Sequence, residues 1–241
     1  MRVRLVFAFF LATTLSLFAQ QPEGTFRTDT DSIVFSDNNI YFSVRGFAGL
    51  NVVQVGEGTF EVVDNFIIVN ASDFSGARTT MEEQPSENNE QITVQIFDNQ
   101  GFFVQGIFVE SRDARGRSIE RRLTNNHGIV HLARSGNVRS ICISSMGHDN
   151  ISFDYASGSD FRVVIVQHEV IENTTAVFRF NRIDDEQLSL LLLTTDFQEG
   201  RNRIRALQQL DNRAQRNNRM ERRFRRVVEP VEIEWRFPLY Q

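Results

Sequence analysis

The sequence predicts a mainly β chain in two units, a β-sandwich set inside a small antiparallel β-domain, followed by an Arg-rich helix and a last edge strand. Three observations predict it. Short runs of alternating apolar residues recur along the chain, separated by Asp, Asn and Gly turns. A polar, acidic, proline-containing stretch at 79–90 separates one group of runs from the next. Two further strand-like runs near 176–193 would be marginal as a lone hairpin, so they need the unfinished sheet begun before residue 79. At 241 residues, 41% of them hydrophobic and 22 of them Phe, the chain can bury a sizeable core.

In chain order, Arg2 and Arg4 precede the apolar run Leu5–Leu17. That pattern reads as a signal peptide over 1–20, cut near Ala19-Gln20-Gln21, and too short for a membrane span of about 20 residues. It predicts a secreted or periplasmic, cell-envelope location with no transmembrane segment once the signal is removed. Residues 24–78 form the first part of the host domain. Ser32–Phe35 and Ile40–Val44 flank Ser36-Asp37-Asn38-Asn39, and Thr59–Val63 and Phe66–Val69 flank Asp64-Asn65, giving two tight hairpins. Gly56 and Gly58 mark a bulge or a close strand approach. Residues 79–90 read as an exposed acidic linker and 91–167 as the sandwich, with Ile92–Phe97, Ile129–Leu132, Val138–Ser144 and Phe161–Gln167 among its strands. The host domain resumes at 169–197, where Ala176–Phe180 and Leu188–Leu193 flank a polar turn. Insertion of one domain into another is tolerated where the host's chain ends lie close together at the surface. The alternative is tandem order with one larger sandwich. Residues 199–228 read as a helix, with Leu207, Leu210, Ala214, Met220, Phe224 and Val228 on its apolar side. Residues 230–241 read as an edge strand between Pro230 and Pro238.

Charge is unevenly distributed. The net charge is −5 and the chain contains no Lys, yet the segment 201–226 is crowded with arginines. Arg205, Arg216, Arg219, Arg222, Arg223 and Arg226 are the candidate anion- or partner-binding residues, because guanidinium groups hold phosphate and carboxylate well. The partner implied is an envelope protein or an anionic envelope surface. Nucleic acid is disfavoured by export and by an acidic body that would repel a phosphate backbone. The competing reading docks the helix on the protein's own acidic sheet.

Catalytic chemistry finds no motif. His127 and His131 have helical metal spacing, but Gly128 and the β-run after it place them on a turn and a strand. Asp184-Asp185-Glu186 lacks the alternating donors of a calcium loop and reads as a solvated turn. There is no nucleophile elbow, P-loop or dinucleotide fingerprint. No catalytic residue, cofactor or metal is expected. Cys142, the one cysteine, reads as a buried thiol in a strand.

The segments Asp98-Asn99-Gln100-Gly101, Asp113-Ala114-Arg115-Gly116, Thr124-Asn125-Asn126-His127-Gly128 and Ile141–Gly147 run in an order that resembles carboxypeptidase regulatory-like domains. The resemblance covers about a third of the chain and implies a transthyretin-like sandwich, an accessory module of exported bacterial proteins that brings no catalytic residues. The flanking segments resemble lipocalin-like strands of exported Bacteroidetes-like proteins, which implies no ligand. The function expected is a non-enzymatic binding or structural module of the cell envelope. The alternatives are a small-ligand carrier with a partial barrel, favoured by a deep cavity lined by Phe42, Phe60, Phe66 and Phe180 and opposed by a filled core, and an enzyme with a loop-built site.

Overall fold

The computed structural model describes residues 21–46, 52–86, 88–200, 202–217 and 219–228. The expected signal peptide (1–20) and final strand (230–241) lie outside the described residues.

Eight antiparallel strands close on themselves. They are β1 (Gly24–Arg27), β2 (Ser32–Ser36), β3 (Asn39–Arg45), β4 (Val53–Val63) and β5 (Phe66–Ala71), then β15 (Thr174–Arg182), β16 (Gln187–Thr194) and β17 (Arg222–Arg226). Each pairs with the next in that order, and β17 pairs with β1 to complete an up-and-down barrel. Alternation points one face of every strand inward, where Phe26, Ile33, Phe35, Phe42, Phe60, Phe178, Leu188 and Phe224 are buried. Edge-to-face contacts fix the packing, with ring centroids 5.2 Å apart for both Phe35–Phe60 and Phe42–Phe178. Gly58 is required by the crossing of β4 and β5. A Cβ there would sit 2.1 Å from the Asn70 carbonyl oxygen.

Between β5 and β15 lies the sandwich. One sheet runs β10 (Ile129–Ala133), β7 (Gln91–Asp98), β13 (Ser159–Ile165), β6 (Thr80–Pro85); the other runs β12 (Ile151–Asp154), β11 (Ser140–Ser144), β8 (Phe108–Arg112), β9 (Ser118–Leu123). Their inner faces meet through Ile92, Val94, Ile96, Val109, Ile141, Ile143 and Val163. At the Asn125–Gly128 turn, Gly128 has a positive φ of 65° and approaches the Ile96 carbonyl so closely that a Cβ would lie 2.4 Å from its oxygen. Ala71 and Thr174 are cross-strand partners, so the chain leaves and re-enters the barrel at adjacent points. The short β14 (Glu169–Ile171) runs parallel to the first part of β4. At the join, Arg78 binds Asp149 of the sandwich at 3.0 Å and Glu172 of the barrel at 2.7 Å. The Thr79 hydroxyl donates to the Asp149 carbonyl at 2.7 Å.

The structure corrects three expectations. The acidic segment 79–90 is not a linker throughout: Thr80–Pro85 is strand β6, paired along its length with β13. Its polar residues hid a strand held by ladder hydrogen bonds and by few side chains, chiefly Met81 against the sandwich core. The helix does not span 199–228. It is α1 (Arg203–Arg216), capped by the Asn202 side chain, which accepts from the Arg205 amide, and ended at Asn217. Arg222–Arg226 is instead the strand that closes the barrel, because β1 and β16 would otherwise expose two unpaired edges. Cys142 is half-buried on the outward side of β11, not buried. Helix α1 lies outside the barrel, with Leu207 and Ala214 packed on Phe66, Ile68, Val177 and Leu193. The ion pairs Arg179–Asp211, at 2.5 Å, and Arg203–Glu61 tie it down.

Candidate functional site

The two ends of the barrel differ. One is closed by tight turns at Asp37-Asn38, Asp64-Asn65 and 183–186, with positive φ at Asp37 and Asp64. Every long excursion leaves from the other end: the β3–β4 connection, the sandwich and α1. Functional groups concentrate on such connections. A cavity of about 440 Å³ opens there, within the range of about 300–1,000 Å³ usual for small-molecule sites.

The cavity's floor is apolar, formed by Val44, Phe178, Leu190, Leu192 and Phe224 from four barrel strands. Its rim is charged: Asp31, Arg45, Arg219, Glu221 and Arg222. Arg222 occupies an inward position of β17, two residues from Phe224 in the core and opposite Leu190. The Arg222 guanidinium donates to Asp31, whose carboxylate is fully buried. The Thr30 hydroxyl and the Arg45 amide also donate to Asp31, at 3.0 and 3.3 Å. A buried charge this well satisfied holds its partner in one place. Arg219 donates to the Leu192 and Leu193 carbonyls, at 2.5 and 3.0 Å. Burial, and then the neighbouring Arg179 charge, push its guanidinium below its ordinary value. Glu221 faces outward, accepting from Ser189 at 2.6 Å and pairing with Arg179 at 2.6 Å. Burial alone would raise the Glu221 carboxyl, but the Ser189 hydroxyl, the Arg179 charge and Asn181 outweigh it and hold it below its usual value.

The six candidate arginines therefore do not share one surface. Arg205 and Arg216 are on the exposed face of α1, and Arg223 points outward from β17. Arg219 and Arg222 meet at the mouth. Arg226 lies at the opposite end, in a small cleft with Glu23, Asp184 and Asp185. Nor do Phe42, Phe60, Phe66 and Phe180 line one deep cavity: Phe42 and Phe60 are packed inside, Phe66 faces α1, and Phe180 sits near the turn end. Sequence reasoning missed Asp31, Arg45 and Leu190–Leu192 as site residues. The available signal was Asp31, a carboxylate directly before the inward run of β2. Exposed apolar side chains on the sandwich were missed too: Phe102 and Phe103, the latter beside Phe97 of β7, and Phe108 and Leu123, paired across β8 and β9. The histidines are dispersed: His127 meets Phe103, His131 meets Thr93 at 3.2 Å, and His148 and His168 meet the backbone oxygens of Met146 and Ala77. Among the described residues, no three His, Cys, Asp or Glu side chains are grouped to hold a metal ion, and no helix is long and apolar enough to cross a membrane.

No family model matches the chain, and no curated protein matches it. Among solved structures, a crystal structure of native alpha-2-macroglobulin from Escherichia coli spanning domains MG0-NIE-MG1 is similar at 11% identity and a TM-score of 0.29. The similarity covers 52% of this chain and 58% of that one.

Proposed function

We propose that this protein is an exported, non-enzymatic binding module of the bacterial cell envelope that receives a small ligand at the barrel mouth. The observation that carries the reading is the contrast inside the barrel. Phe side chains fill the interior, while the end from which the long connections leave keeps a cavity of about 440 Å³ with an apolar floor and a charged rim. An apolar surface with a few fixed polar groups suits binding. The lining, as described, holds no Ser, Cys or His, and Asp31 and Glu221 are engaged with arginines, which favours binding over turnover. The sandwich, which resembles an accessory module, then serves as the part that displays or positions the barrel, since Arg78 and Thr79 fasten the two together.

Native mass spectrometry of the full chain after incubation with envelope extract tests this. Met220→Trp fills the rim from an exposed position and leaves the core alone, whereas Phe103→Ser alters an exposed apolar side chain on the sandwich. A bound small molecule lost in Met220→Trp and kept in Phe103→Ser is the expected result. The reverse pattern, or no bound small molecule on the unaltered chain, overturns the proposal.

A further inference from the structure

We propose that the mouth takes an amphiphile with one anionic head, carboxylate or phosphate, whose apolar body lies on Val44, Phe178 and Leu192 while its head meets Arg222 and Arg219. This rests on the mouth being the binding site. Position points to Arg222. Strand alternation makes residue 222 a core position, and an arginine there is kept by an acid that is itself wholly buried. Asp31 engages part of the Arg222 guanidinium, a group with five donors, and the Arg222 side chain is still 40% exposed, at the cavity. Guanidinium groups outnumber carboxylates around the mouth. Arg45, Arg219 and Arg222 stand at the rim against Asp31 and Glu221, and Glu221 is turned outward to Ser189, Asn181 and Arg179. Arg219 is oriented at the mouth by its bonds to the Leu192 and Leu193 carbonyls. Burial and Arg179 both work against that charge, and an anion in the mouth would offset both. The floor selects for the body of the ligand. Five apolar side chains reward an apolar body and offer a polyanion nothing.

Isothermal titration calorimetry on the full chain separates the possibilities, with decanoate, decyl phosphate, decanol and decyltrimethylammonium as probes. At least one of the two anions should bind tenfold or more tighter than decanol, and the cation most weakly, because charge-assisted hydrogen bonds form only with the anion. Which anion wins tells carboxylate from phosphate. Arg222→Met should remove the preference for the anion while decanol still binds, and Arg222→Lys should restore part of it. Decanol binding as tightly as both anions overturns the anionic head and leaves the mouth reading standing. Binding of any probe that survives Met220→Trp unchanged, or no binding at all, overturns the mouth reading itself. Should Arg222→Met fail to fold, because Asp31 is left buried without its partner, the comparison of the four probes on the unaltered chain still decides.

Discussion

Glu110 shows how one residue can tie pH to stability. It projects outward from β8 yet is buried beneath Arg112 and Arg121, which bind it at 2.9 and 3.1 Å. A hydrogen bond from Ser118, then Arg112 and Arg121, outweigh burial and pull its carboxyl from 4.5 to about 2. A carboxyl lowered on folding stabilises the fold above its unfolded value, and that stability is lost as pH falls toward the folded one. Glu110→Gln should therefore be less stable than the unaltered chain at pH 7, by a gap that stays constant above about pH 5 and narrows between 4.5 and about 2. Urea unfolding across that range checks it, and a gap independent of pH would refute it. None of this was legible in the sequence, where Glu110 is an ordinary acid in an alternating strand. Its burial depends on Arg112, two residues along β8, and on Arg121, which the register of β8 with β9 places opposite it.

At the scale of elements, most strands were legible and two were not, for different reasons. The hairpins around Asp37-Asn38 and Asp64-Asn65 announce themselves through turn formers between alternating runs. Strand β6 carries no inward apolar run beyond Met81, so periodicity is silent about it. Strand β17, with Phe224 as its one buried residue, reads equally well as the end of the amphipathic helix. What decides it is closure, a property of the whole barrel. That closure has a local cost. Arg27 and Arg225 are direct cross-strand partners, both exposed and outward, and neither forms an ion pair with a described residue. Like charges facing each other across a ladder are destabilising. Arg27→Gln and Arg225→Gln should each raise Tm by about 1–2 °C. The double variant should gain little beyond either single one, and the gain should shrink at 1 M salt, where the Debye length is about 3 Å. A fall in Tm in both single variants would show that the pair is compensated.

For the whole molecule, the arrangement is a barrel with three tight hairpin turns at one end and every long connection at the other. Sequence reasoning reached the β-sandwich, the small antiparallel β-domain and the helix, but placed its candidate site on one arginine-rich face. The fold disperses that face: two of the six arginines stay on α1, one points out from the wall, one sits at the turn end, and Arg219 and Arg222 meet at the mouth. Spacing along a chain cannot reveal which residues face inward once a strand has been taken for a helix. Closure by β17 also decides what a truncation would do. Ending the chain at Glu199 would remove β17, open the barrel between β1 and β16 and destroy the cavity, so loss of binding after that cut would not place the site on α1.

The central claim is that binding happens at the barrel mouth and not on the sandwich. Backbone amide spectra of the full chain, recorded while decanoate is titrated in, test it most directly. The account predicts shifts around Asp31, Val44–Gly46, Leu190–Leu192 and Arg219–Phe224, with residues 92–165 unmoved. Shifts confined to the sandwich, around Phe102, Phe103, Phe108 and Leu123, would contradict it.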